Sequence, residues 1–345
     1  MRNIRILAAA ISMLLVGLDT KAVLADDFYR GKTITITSGS GVGGGYDIYT
    51  RLLAQFLGRH IPGNPRVIVE NRLGAGTRVA TTYVYNMAPK DGTAIGNSVN
   101  LLPFDQFVFP SGSRSYDLTK VQFIGNMAAL TGIIVVNQSA GVRTFEQAKH
   151  KVVALGSNSR FSETYVVPAI TNAVGGTKFQ IVQGFPSSTA AIDLAMERNE
   201  VSGRAGSWSG YGVKYPNWVN EGKLIPLVQV GAEEAPVLKG KGIPMLTSFA
   251  QTDEQRAIYE AISMGSLFSR AYWLAPEVPV ERVALLGKAF DAVMKDPEFL
   301  TFAAKQNFEI TPSNAATVND TMKKMEAAIG ALQPKQLQTI RDVLK

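Results

Sequence analysis

The sequence predicts an α/β protein built as two lobes, each a mixed, mostly parallel sheet flanked by helices, and three observations carry that reading. Residues 32–37, Lys-Thr-Ile-Thr-Ile-Thr, alternate isoleucine with threonine as a strand does. A glycine-rich loop, 39–45, follows at once and leads into Ile48, Leu52 and Phe56, with Leu53 and Leu57 beside them, spaced along one helical face. The same order then recurs: a strand at 66–70, a loop at 71–76, a helix at 77–87 and a strand at 93–99. A βαβαβ chain of this kind forms a parallel sheet with right-handed crossovers, so both glycine loops open at the carboxyl ends of strands.

A second unit starts near residue 132. Its strands are read at 133–136, 152–155 and 179–182, its helices at 145–149 and 163–174, and its strand-end loops at 156–162 and 184–189. A helix at 190–198, the segment 203–212 with Trp208, and a strand at 225–230 extend it. From residue 280 the chain reads as helical throughout, with starts near Pro279, Pro297 and Pro334. Open α/β sheets bind ligands beyond the carboxyl ends of their strands, so the expected site is the cleft where the two sets of loops face each other.

The N-terminus predicts export. Met1, Arg2, Asn3, Ile4 and Arg5 precede an apolar run at 6–18, and Val23-Leu24-Ala25 follow. Charge, apolar core and small-residue site in that order read as a signal peptide over residues 1–25, cleaved after Ala25, with the mature chain in a periplasm. The run is too short to span a bilayer. No cysteine is present, which excludes disulfides and a cysteine-borne lipid anchor. The formal charge is +7. It falls by two when Arg2, Arg5, Lys21 and Asp19 leave with the signal. The remaining cations are scattered, so nucleic acid is not an expected partner, and a mild positive field favours anionic solutes.

Gly39-x-Gly41-x-x-Gly44 satisfies the dinucleotide-binding pattern, with Glu70 at the distance of a ribose contact. A nicotinamide-dependent oxidoreductase is therefore one reading. The export signal and a second glycine turn, Gly74-Ala75-Gly76, weigh against it. Either way glycine has one physical use: without a Cβ, backbone N–H groups can approach an anion closely, and a helix start adds favourable potential. Asp47, at the start of the helix, reads as a cap that shapes the loop or as a ligand contact. In the second lobe Ser157, Asn158, Ser159, Arg160 and Ser162 form a polar cluster suited to a carboxylate. Phe185, Trp208, Tyr211 and Trp273 are candidates to wall the ligand. His60 and His150 are the only histidines. With no cysteine, no Gly-x-Ser-x-Gly and no His-Glu-x-x-His, no catalytic residue, metal ligand or cofactor is assigned, and the chain is read as a non-enzyme.

Taken in order, Gly43-Gly44-Gly45-Tyr46-Asp47 with Arg51, Val69-Glu70-Asn71-Arg72-x-Gly74-Ala75-Gly76 and Pro89-Lys90-Asp91-Gly92-Thr93 resemble the substrate-binding receptors of tripartite tricarboxylate transporters, the Bug or TctC-like family. Gly156-Ser157, the turn at Gly184-Phe185 and Trp273-Leu274-Ala275-Pro276 continue the match over essentially the whole mature chain. The resemblance implies a two-lobed periplasmic-binding-protein fold of type II, a Venus flytrap. It implies a first lobe over 26–126, a second over 127–268, and a return over 269–345 that completes the first lobe with C-terminal helices. It also implies a monomer that holds a small carboxylate (a di- or tricarboxylate, or an aromatic or amino acid) and presents it to membrane permease subunits; a sensory receptor is the other use of such a lobe pair. The ligand-binding set expected is Ser40, Gly41, Gly43, Gly44, Tyr46, Asp47, Gly76 and Thr77 from the first lobe. From the second come Ser157, Ser159, Phe161, Ser162, Phe185 and Trp208. Three departures fall on these loops: Val42 where the family often has proline, Thr77-Arg78 after Gly76 where many members have another glycine, and Gln183-Gly184-Phe185-Pro186 for its usual Pro-Tyr-Lys-Gly turn.

Overall fold

The computed structural model describes residues 28–98, 100–110, 114–186, 188–215, 217–218 and 221–345. The signal peptide expected at 1–25 lies outside the described residues. Along the chain the first elements are β1 (Thr33–Ser38), α1 (Gly45–Leu57), β2 (Arg66–Asn71), α2 (Arg78–Asn86), β3 (Ala94–Asn97), α3 (Leu102–Val108) and β4 (Gln122–Asn126). Then come β5 (Gly132–Asn137), β6 (Val153–Gly156), α4 (Glu163–Gly175), β7 (Phe179–Val182), α5 (Thr189–Glu197), β8 (Gly203–Ser207), α6 (Trp208–Lys214) and β9 (Leu224–Val230). The chain ends with α7 (Asp253–Ser263), β10 (Ala271–Leu274), α8 (Val280–Val293), α9 (Pro297–Lys305), β11 (Ser313–Asn314), α10 (Ala315–Gly330) and α11 (Pro334–Leu344).

Two sheets result, in the orders β11-β4-β10-β3-β1-β2 and β7-β6-β8-β5-β9. The βαβαβ start is parallel, with β1 between β2 and β3. The rest of the first sheet is antiparallel: β10 returns from far along the chain to lie between β3 and β4, and β11 closes the edge. In the second sheet β6 runs parallel to β7 and β8, whereas β5 is antiparallel to β8 and β9. Strand β8, Gly-Arg-Ala-Gly-Ser, has almost none of the β-branched alternation that marks a strand in sequence. It is a strand because β5 and β6 pair with it from both sides. The helix expected at 145–149 shrinks to a single turn, Gln147–Lys149.

The chain passes between the sheets twice, after β4 and before β10, and the two passages are tied together. Asn126, fully buried, accepts the Arg270 N–H through Oδ1 at 2.8 Å and donates Nδ2 to Leu267 O at 3.2 Å. Leu130 N–H donates to Ser266 O, and Ser269 Oγ donates to Leu130 O. The C-terminal helices then span both sheets' helical layers. Met322, Met325, Ile329, Ile340 and Leu344 share one core with Phe104 and Val108 of α3 and with Val166 and Ile170 of α4. In α11, Arg341 Nε donates to Val108 O at 2.8 Å, and Tyr165 Oη of α4 donates to Val343 O at 3.4 Å.

Asn126→Ala removes both of its side-chain bonds and leaves the buried Arg270 amide without an acceptor. A loss of about 1–3 kcal/mol of unfolding free energy is expected in urea titrations. A variant as stable as the parent would show that the two passages are not held by this side chain.

Candidate ligand-binding cleft

The glycine loop between β1 and α1 takes its shape from one carboxylate. Helix α1 starts at Gly45 with Gly44 as its N-cap, and no side chain caps it, so its first-turn N–H groups are left to a neighbour or a ligand. Asp47, only 1% exposed, turns back on the loop. Its Oδ2 accepts Gly43 N–H and Arg51 Nε, each at 2.9 Å, and its Oδ1 accepts Asn71 Nδ2 at 2.7 Å. Asn71 Nδ2 also donates to Ser40 O at 2.7 Å, joining the loop to the end of β2. Burial pushes the Asp47 carboxyl up, but the bonds from Arg51, Asn71 and Gly43 outweigh it and hold the group below its ordinary value.

The loops of the two sheets enclose a cleft of about 860 Å³ of atom-free space, open solvent at its mouth included. Ser40, Tyr46, Gly76 and Thr77 line it from the first sheet, and Ser159, Ser162, Thr164 and Ser207 from the second. Helices α4 and α6, like α1, start at the cleft without side-chain caps. Arg270, the residue just before β10, lines it too. Its guanidinium lies over the rings of Tyr46 and Tyr49, 4.3 and 4.5 Å from their centroids, and Nη1 donates to Ser269 O at 2.6 Å. The residue is 2% exposed, and its Nε is buried without a partner. Tyr46 Oη accepts Asn100 N–H at 2.9 Å, and burial pushes its phenol up to about 12. Glu163 lines the cleft as the first residue of α4, and burial raises its carboxyl despite the opposing charge of Arg270. Arg204 also lines it but is neutralised by Asp193, Nε to Oδ1 at 2.5 Å. Among the described residues no group of His, Asp and Glu can hold a metal ion.

Of the expected set, the cleft brings together Ser40, Tyr46, Gly76, Thr77, Ser159 and Ser162. The others stand behind it, for identifiable reasons. Asp47 is occupied by the loop, and the Gly43 N–H is taken by Asp47. Gly41 and Gly44 bond each other, Gly44 N–H to Gly41 O at 3.0 Å. Ser157 is fully buried and extends the sheet, its N–H donating to Val182 O at 2.8 Å. Trp208 belongs to a core with Tyr211, Ile192 and Val201, against which Phe185 packs. Trp273 is core as well, its Nε1 donating to Ser98 Oγ at 3.0 Å. Arg160 turns away to the C-terminal Lys345 carbonyl.

Phe161 has another task. The Arg78 guanidinium of the first lobe lies 3.3 Å from the Phe161 ring centroid, across the cleft. A Cβ built on Gly76 would fall 2.7 Å from Phe161 Cβ and 3.1 Å from Ser159 Oγ. The turn that carries Gly76 is wound through positive φ at Gly74, Ala75, Gly76 and Thr77, a conformation that a β-branched threonine resists. Gly76 is thus one of the points at which the lobes touch across the cleft.

Arg270, Glu163 and Asn100 were missed in the sequence. Arg270 reads as one cation ahead of an apolar strand, and its stacking partners are more than two hundred positions away. Glu163 carries only the signal of an acidic first helical turn, which the helix dipole explains by itself.

Two outcomes follow. Gly76→Val is expected to hold the lobes apart, giving a larger radius of gyration in small-angle scattering than the parent; equal radii would show that closure does not pass through this contact. Because the folded Asp47 carboxyl lies below its unfolded value near pH 3.9, its stabilisation is present above about pH 4 and is lost as pH falls through the folded value. Asp47→Asn should therefore flatten the acid limb of the stability curve, and an unchanged limb would assign acid unfolding to other groups.

No protein-family model matches the chain, and no curated protein matches it. Solved structures do. The periplasmic binding protein BugD superposes with a TM-score of 0.69 at 16% identity, over 91% of this chain and 98% of its own. The R. palustris protein Rpa4515 with adipate gives 0.68 at 18%, over 91% and 98%. MatC from Rhodopseudomonas palustris with bound malate gives 0.65 at 16%, over 87% and 99%. With two mixed sheets, two chain passages between them and loops facing across a cleft, the chain has the two-lobed fold of these structures.

Proposed function

We propose that the chain is a receptor of the Bug/TctC kind that captures a small carboxylate in the periplasm and presents it, closed, to the membrane subunits of a tripartite transporter. The observation that carries this reading is Arg270. A buried guanidinium whose Nε has no partner is costly unless an anion meets it, and it stands in a cleft where the uncapped start of α1 also favours an anion. The structural neighbours named with adipate and malate support a carboxylate as the ligand class. The signal-like N-terminus supports export, and the contact at Gly76 supports closure over the ligand.

The dinucleotide reading loses its motif to internal packing. A Cβ on Gly39 would lie 2.4 Å from Thr77 Cβ, so that glycine serves the approach of the second loop to the first. Glu70 is paired with Arg72 at 2.8 Å.

In a thermal-shift panel of mono-, di- and tricarboxylates and amino acids, at least one compound should stabilise the protein. A ligand at 100 times its Kd adds about 2.7 kcal/mol. Arg270→Met should abolish the shift. A verified empty protein that responds to no compound in the panel sinks the proposal, and so does a full response from Arg270→Met.

A further inference from the structure

The cleft holds two charges that no protein group neutralises by direct contact among the described residues, and a plain carboxylate uses only one of them. Arg204 has Asp193. Arg270 donates to the Ser269 carbonyl and bonds the Tyr46 hydroxyl but has no carboxylate in contact, and its Nη2 lies beside the start of α1, 3.2 Å from where a Cβ on Gly45 would stand. Glu163 has one long bond, Asn100 Nδ2 to Oε2 at 3.4 Å. Beside that carboxylate is a second acceptor in want of a donor. Asn100 lines the same cleft, is 5% exposed, and its Oδ1 is buried without a partner.

The lining therefore carries both signs. Its donors are the Arg270 guanidinium and the open N-terminus of α1. Its acceptors are Glu163 and Asn100 Oδ1. The two charges sense each other without forming an ion pair: Arg270 is the first charge that opposes the upward push of burial on Glu163. A ligand carrying two negative charges would set one of them against Glu163 in a site of low dielectric, where such a contact is costly. A ligand with one carboxylate and one ammonium meets a complementary group for each charge. An ammonium has three N–H donors and no acceptor, which suits two carboxylate oxygens and one amide oxygen.

We infer that the ligand is a zwitterion, an amino acid whose carboxylate pairs with Arg270 and whose ammonium is held by Glu163 and Asn100 Oδ1. This rests on the reading of the cleft as a carboxylate receptor and narrows its substrate class. Glu163 becomes the specificity-determining residue, because it separates an amino acid from the same acid without its nitrogen.

The test is calorimetric titration of the mature protein with matched pairs: L-aspartate and succinate, L-glutamate and glutarate, L-leucine and 4-methylpentanoate, L-phenylalanine and 3-phenylpropionate. The best-bound amino acid should bind at least about tenfold more tightly than its deaminated partner, a difference of about 1.4 kcal/mol. Glu163→Gln should bring the two members of that pair within about threefold, whereas Arg270→Lys should weaken both. If a deaminated acid binds as tightly as its amino acid, or more tightly, the zwitterion inference falls and the carboxylate receptor stands. If Glu163→Gln weakens both members alike, Glu163 is structural and the inference falls too. If no compound of either kind binds, both readings fall together.

Discussion

One buried carboxylate organises the site. Asp47 gathers an amide of the glycine loop, the guanidinium of Arg51 one helical turn on, and the side chain of Asn71 at the end of the neighbouring strand. A loop of small residues has no side chains of its own with which to hold a shape, and its backbone entropy is high. Three charge-assisted hydrogen bonds on one group fix it at a single point. The arrangement also leaves the start of α1 uncapped, because Asp47 takes the Gly43 N–H of the loop instead of a helical one. The charge of this acid is thereby taken up by the frame of the loop.

The same economy governs the floor of the cleft. Arg270 lies on the passage that returns the chain from the second sheet to the first, with its backbone N–H held by Asn126 on the outgoing passage. The residue that presents a buried cation to the cleft is therefore part of the joint between the lobes. On the proposed function, an anion that meets this charge would act on the joint itself and so bias the relative position of the lobes by differential contact, the requirement for any ligand-driven shift. The Tyr46 and Tyr49 rings hold the guanidinium plane from the first lobe. Tyr49 Oη also lies 3.5 Å from Ser209 Oγ of the second, so the aromatic clamp itself bridges the cleft.

The glycine clusters of the sequence fall on loops that line the cleft, though only some of these glycines line it themselves. Their clustering marks places where backbones come close, and proximity has several causes. At Gly39 the close neighbour is Thr77, at Gly76 it is Phe161 of the opposite lobe, and at Gly44 it is Ser40. None of these is a ligand; together they shape the cleft. The aromatics expected as ligand walls sit elsewhere. Trp208 is packed in a core with Ile192 and Val201, and Phe185 lies against it, the common place of large apolar side chains near strand ends.

The sequence by itself determined what depends on local order: the βαβαβ start, the loops at strand ends, the α4 and α5 helices within a residue of their bounds, and the polar character of both jaws. Periodicity and turn chemistry are properties of neighbours along the chain, so they are legible there. Only the tertiary structure decided the rest. It made a strand of Gly203–Ser207, drew β10 between β3 and β4, laid the C-terminal helices across both lobes, and brought Arg270, Glu163 and Asn100 into one cleft. Each of those outcomes turns on groups far apart in sequence whose pairing no local pattern encodes: a sheet supplies partners from both sides, and a buried charge acquires its meaning from what faces it.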